Sequence, residues 1–144
     1  KQNFNSRSFT NAFHEALRII HEEGMEKRFQ RHNTNGNALK AGLEAMGLNL
    51  LAQDGYRAPM LTSVGIPEGI VDLNVRKNLL SNYLIELGGG LGDFKGKAWR
   101  VGLMGYSCTK KNVLCLLSAL ENTLIEEGYK LERGVGVEAA NSVF

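Results

Sequence analysis

Cysteine is scarce in this sequence. Cys108 and Cys115 are the only two, too few for a disulfide framework and without the CxxC spacing of a zinc site. Reduced thiols in an intracellular protein are the default reading of such a pair. An excess of one charge is missing as well. The 17 basic residues are interleaved with 15 acidic ones, and a formal net charge of +2 gives no reason to expect nucleic acid as a partner. No apolar run approaches the roughly 20 residues of a membrane span, so no membrane partner is expected. The polar opening from Lys1 to Thr10 leads us to expect no secretory signal, which leaves the cytoplasm as the default compartment, with peroxisome or mitochondrion still open. The chain has no internal repeat and no low-complexity segment.

Several catalytic markers are absent too. There is no HExxH, no GxSxG elbow, and no Lys-Ser/Thr ending to the glycine-rich stretch that would make it a phosphate loop. His14 and His21 fall two helical turns apart, about 10 Å, which is too far to share a metal ion. His32 stands alone. Glu22, Glu23 and Glu26 read as a solvated helix face rather than an acid/base pair. No metal site is expected.

What is present is an ordinary globular chain of 144 residues, 43% hydrophobic and 22% charged. Phe9, Phe13, Ala16, Leu17 and Ile20 fall at helical spacing up to Gly24, and Met25, Phe29, Gly36, Leu39, Leu43 and Met46 continue it to Gly47. Strands are expected over 48–52, 61–66, 84–87 and 99–104. Asp72 reads as the N-cap of a helix burying Val75, Leu79 and Leu80. Thr109 reads as the cap of a last helix, Lys110 to about Glu127, burying Val113, Leu116, Leu117, Leu120 and Leu124. The order α, α, β, β, α, β, β, α lacks a βαβ rhythm. The expected fold is α+β, a small, mostly antiparallel sheet covered by helices, forming one domain over residues 1–128 with a loose tail over 129–144.

One stretch breaks the bland pattern. In "GKAWRVGLMG", alternation sends Trp99, Val101 and Leu103 to one face and Ala98, Arg100, Gly102 and Met104 to the other. A permanently charged guanidinium thus stands between two very small residues, just after the run "GGGLG" of Gly88 to Gly92. That run reads as a tight connection between strands, or as backbone bare enough to pass close to a ligand. Small neighbours leave space beside Arg100, and its planar fork suits a carboxylate or phosphate from outside. An exposed edge position or an ion pair remains the alternative.

The blocks "EALRIIHEEGMEKRFQRH", "LKAGLEAMGL" and "YLIELGGGLGDFKGKAWRVGLMGYSCTKKNVLCLLSALE" resemble the C-terminal domain of the alanine–glyoxylate (serine–pyruvate) aminotransferase family. These are class V, fold-type I enzymes that use pyridoxal 5'-phosphate. The resemblance runs from about Phe9 to Glu127 and is most specific from Gly88 to Asn112. It implies that Arg100 binds the α-carboxylate of a small amino acid or keto acid, and that the full-length enzyme is a homodimer. It also implies that the lysine bonded to the cofactor, and most cofactor contacts, belong to an N-terminal domain not contained in this sequence. The chain alone is then expected to be inactive, with no catalytic and no cofactor-binding residue of its own. Where the family carries a Tyr/His/Thr segment reaching the partner subunit's cofactor phosphate, this sequence reads "KQNF", Lys1 to Phe4, and no such role is assigned there. Two alternatives stay open. One is a non-catalytic α+β domain binding a small carboxylate. The other is a class V relative with lyase or desulfurase chemistry, for which Cys108 would be the thiol, although Cys108 reads more simply as a small residue before the Thr109 cap.

Overall fold

The computed structural model describes residues 6–144, and side chains from residue 8 onward. The "KQNF" segment therefore lies outside the described residues. The chain divides into two compact units, one ending at Arg31 and the other running from His32 to Phe144. Among the described residues no helix is long and apolar enough to cross a membrane.

In the first unit, α1 (Ser6–Glu23) gives way at Gly24 to α2 (Met25–Ala45), which continues into the second unit. Gly24 has a φ of 80°, a left-handed conformation that breaks the helix and that L side chains rarely adopt. Glu23 ties the break together by accepting hydrogen bonds from Arg28 at 2.8 Å and from Arg31 at 2.5 Å and 2.9 Å. Those bonds, Arg31's first, hold its carboxyl down at about 2 against the opposing effect of burial. The helical spacing on both sides of Gly24 is matched by α1 and α2, but Phe9, Phe13, Leu17, Met25 and Phe29 are all exposed. Periodicity says which side chains stand together. It does not say what covers them.

The second unit holds a three-stranded antiparallel sheet in the order β1-β3-β2, where β1 is Leu61–Gly65, β2 is Gly88–Gly89 and β3 is Ala98–Gly102. Trp99 and Val101 of β3 and Val64 of β1 are buried on one face. They join Leu39 and Leu43 of α2, Val75 and Leu79 of α3 (Asp72–Tyr83), and Val113, Leu117, Leu120 and Leu124 of α4 (Lys110–Glu126) in a single core. Thr109 caps α4 as its sequence position suggests, its Oγ1 accepting from the Asn112 amide at 3.2 Å.

Three expectations shift. The segment 48–52 pairs only through Leu50 opposite Val64, so it is a bridge rather than a strand. The strand placed at 84–87 lies instead at Gly88–Gly89. Residues 84 and 85 are spent terminating α3, with Leu84 at a φ of 56° and the amides of Leu84 and Ile85 bonding back to Leu80 and Leu79. Leu80 is exposed rather than buried.

The segment 129–144 is not loose. It forms α5 (Val135–Asn141), with Gly136 and Ala140 buried. The Tyr129 hydroxyl donates to the Met46 carbonyl at 3.4 Å. The buried Glu121 carboxylate of α4 receives the amides of Gly134 at 3.0 Å and Gly136 at 2.6 Å. A buried carboxylate needs such partners, and these two amides at the start of α5 have no helical acceptor. Glu121→Ala is expected to lower the unfolding free energy by about 2–3 kcal/mol, since a hydrogen bond to a charged group contributes about 1.5–3 kcal/mol. Denaturant melts measure this, and amide exchange over 135–141 should accelerate selectively. Unchanged protection there would show that Glu121 does not hold the tail.

Candidate functional site

Arg100 sits at the centre of the sheet on β3, with a strand on each side. Its register partners are Ser63 on β1 and Gly88 on β2. Directly opposed residues in an antiparallel sheet share a face, so Ser63 and Arg100 stand side by side opposite the Trp99 and Val101 core. Its neighbour on the other flank has no side chain. A Cβ on Gly88 would lie 3.2 Å from the Arg100 carbonyl oxygen and 3.7 Å from the guanidinium Nη2. The clearance beside the arginine therefore comes from β2. Gly102 contributes none of it, since a Cβ there would meet only the tip of Met104 at 3.8 Å.

The guanidinium is half-buried and anchored at one atom. Its Nε donates to the Gly89 carbonyl at 2.8 Å. Among the described residues it makes no ion pair, and neither Nη1 nor Nη2 has a hydrogen-bond partner. This disposes of the ion-pair alternative. Arg100 lines a cavity of about 270 Å3 whose other walls include Leu51, Ala52, Leu91, Phe94, Gly90 and Ala98. Ser63 and Arg100 are the two polar side chains that line it. An unpaired guanidinium at an apolar-walled cavity has the chemistry to hold an anion, because removing a charge from water without a partner is costly.

A second network holds the strand from behind. Asp72 does not cap α3; Val71 occupies that position and offers no side-chain bond. Asp72 is spent elsewhere. Its Oδ1 accepts from the Trp99 indole Nε1 at 2.9 Å and from Arg76 Nε at 2.9 Å, and its Oδ2 accepts from Arg76 Nη2 at 3.1 Å. Arg76 in turn lies over β2, about where a Gly89 side chain would be, with Cζ 3.7 Å from that position. The pair thus braces the residue beside Arg100 and the glycine whose carbonyl holds it. Two signals could have revealed this in the sequence: the Asp72/Arg76 spacing of four on a helix, and an indole N–H that needs a buried acceptor.

The remaining candidates separate from the site. His32 is buried, and its Nε2 accepts from the Gly105 amide at 3.1 Å. Among the described residues no cluster of three metal-ligating side chains exists. Cys108 is fully buried ahead of the Thr109 cap, which argues against a mobile catalytic thiol, and neither cysteine is in a disulfide. Pyridoxal phosphate does not fit the Arg100 cavity as it stands. No lysine lines that cavity to bond the cofactor aldehyde, and its one cation cannot hold a phosphate and a substrate carboxylate together. Lys40, whose pKa burial lowers, lines a different cavity of about 320 Å3 that shares no residue with this one.

Arg76, ahead of Trp99, holds the Asp72 carboxyl below the usual range against the opposing effect of burial. A depressed carboxyl adds stability that is fully present above the unfolded value, here 3.8, and is lost as pH falls through the lowered folded value. Melting temperatures between pH 6 and pH 2 should therefore fall more steeply for the wild type than for Asp72→Asn, and the two should converge in acid. Parallel curves would show that Asp72 is not a stabilising ion pair.

No protein-family model matches the chain. It is 44% identical over 133 residues to (S)-ureidoglycine–glyoxylate transaminase of Bacillus subtilis, covering 92% of this chain and 32% of that protein. The structure of an alanine–glyoxylate aminotransferase from Nostoc matches 76% of this chain and 29% of its own, at 47% identity and a TM-score of 0.74. Pyridoxamine–pyruvate aminotransferase from Mesorhizobium loti matches 88% of this chain and 33% of its own, at 33% identity and a TM-score of 0.84. The chain thus spans about a third of the length of the relatives it matches. The three-stranded antiparallel sheet and its helices match these enzymes over most of the chain, which belongs to the class V alanine/serine–glyoxylate-type aminotransferases as a C-terminal fragment.

Proposed function

We propose that this chain is the substrate-carboxylate-binding domain of a pyridoxal-phosphate-dependent aminotransferase. The reaction moves an amino group from alanine or serine to glyoxylate or pyruvate. One observation carries the reading: the Arg100 guanidinium is fixed at Nε, unpaired at both Nη atoms, and belongs to a residue that lines a small cavity. The three relatives differ in the amino donor that their names give, yet each name pairs that donor with glyoxylate or pyruvate. Both acceptors are small 2-oxo acids with a carboxylate beside the reacting carbon. Arg100 clamps that carboxylate by its two free nitrogens, which fixes the direction of the neighbouring carbon. This is a positioning role rather than proton transfer.

The cofactor supplies the electron sink of the reaction from the rest of a longer, homodimeric enzyme. The 144 residues alone bind the acid but do not turn it over. In the full-length enzyme, Arg100→Ala should raise KM for both the amino and the keto acid by roughly ten- to a hundredfold, the loss expected for a charge-assisted bidentate contact. Arg100→Lys should recover only part, because a point charge does not reproduce the fork. Cofactor affinity should hardly change. Steady-state kinetics with thermal melts on both variants decide the matter. A folded Arg100→Ala enzyme with wild-type constants for both substrates would make the arginine merely structural.

A further inference from the structure

We propose that Ser63 is a second contact for the same carboxylate, a residue that helps to select a free carboxylate over a neutral analogue. This rests on the reading of Arg100 given above. Ser63 is the direct cross-strand partner of Arg100. In such pairs the two Cβ atoms lie about 4.5–5.5 Å apart, so both side chains reach one small ligand. Both line the same cavity, where the other walls are apolar or glycine.

The hydroxyl is also uncommitted. The Ser63 carbonyl accepts from the Leu51 amide at 3.0 Å, but among the described residues its Oγ makes no hydrogen bond. The exposed hydroxyls of Ser107 and Ser142 find backbone acceptors, Met104 at 2.9 Å and Ala139 at 2.7 Å, whereas the Thr62 hydroxyl next to Ser63 is buried without a partner. At Ser63 the strand conformation carries the neighbouring carbonyls into the sheet ladder, so the hydroxyl proton is left for the cavity.

The stoichiometry of donors fits a carboxylate. Two oxygens offer about four lone-pair sites, and with Nε held by Gly89 the Arg100 fork supplies two donors. The Ser63 O–H supplies a third from the β1 side, to whichever oxygen lies nearer that strand. Gly88, on the opposite flank, has no side chain and supplies none. An ester or an amide presents a poorer acceptor at this position and loses the charge that makes the bond strong. The arrangement thus recognises a small free acid, held edge-on by arginine and from the side by serine.

The test is a 15N NMR titration of the full-length enzyme with pyruvate, with methyl pyruvate as the neutral control, following the Arg100 Nε–Hε signal and the Ser63 amide. Pyruvate should move both signals and methyl pyruvate neither. Ser63→Ala should weaken pyruvate binding roughly tenfold, the loss expected of one hydrogen bond to a charged group. Ser63→Thr, which keeps the hydroxyl, should restore it to within about twofold. The spectra themselves report whether each variant is folded. If Ser63→Ala binds pyruvate as the wild type does while Arg100→Ala abolishes binding, the serine assignment is overturned and the arginine site stands. Equal losses in Ser63→Ala and Ser63→Thr would show a packing role and overturn it too. If pyruvate does not bind, or binds regardless of Arg100, both assignments fall together.

Discussion

The hydrogen bond from Arg100 Nε to the Gly89 carbonyl governs the rest of the site. A guanidinium pinned at Nε presents its two terminal nitrogens as a fixed fork, and the direction of that fork follows from the strand that accepts the bond. The accepting strand is only two residues long and both are glycine. A Cβ on Gly88 would press on the Arg100 carbonyl oxygen at 3.2 Å and touch the guanidinium, and one on Gly89 would meet Arg76 behind the sheet. Bare backbone in β2 is therefore what lets an arginine lie flat across a sheet centre with its charge unspent.

So short a strand needs support from outside its own ladder. Gly90 extends it by one more bond, its amide donating to the Ala98 carbonyl at 2.8 Å. The Asp72–Arg76 pair supplies the brace, since it joins the indole of Trp99 to the helix that carries Val75 and Leu79 into the core. Trp99 is fully buried, so the residue before Arg100 is fixed by packing and by a hydrogen bond at once. Rigidity on the core face is what makes an unpaired charge on the opposite face useful, because a mobile arginine would find a carboxylate of its own chain.

Legibility varied with how local each signal was. Alternation around Arg100, the Thr109 cap and the helix break at Gly24 depend on residues within a turn or two of one another, and each was readable. The antiparallel sheet was readable as a class. Its register was not, because Leu84 to Leu87 carry strand-like composition while the chain spends its first two residues closing α3. Asp72 was assigned to the nearest helix start, where Asp is a favoured cap, although Trp99, 27 residues away, claims it. The tail from Tyr129 shows little periodicity, because what holds it are distant contacts, the Glu121 carboxylate on α4 and the Met46 carbonyl among them. Ser63 gave no sign at all. A lone serine in a strand gains meaning only once the register sets it beside Arg100.

The most direct measurement is a crystal structure of the full-length enzyme grown with pyruvate. The pyruvate carboxylate should be bound by both Nη atoms of Arg100, with Nε still donating to Gly89 and the Trp99–Asp72 bond unchanged. A structure in which Arg100 leaves Gly89 to pair with a carboxylate of the chain itself, with pyruvate absent from the cavity, would contradict this assignment.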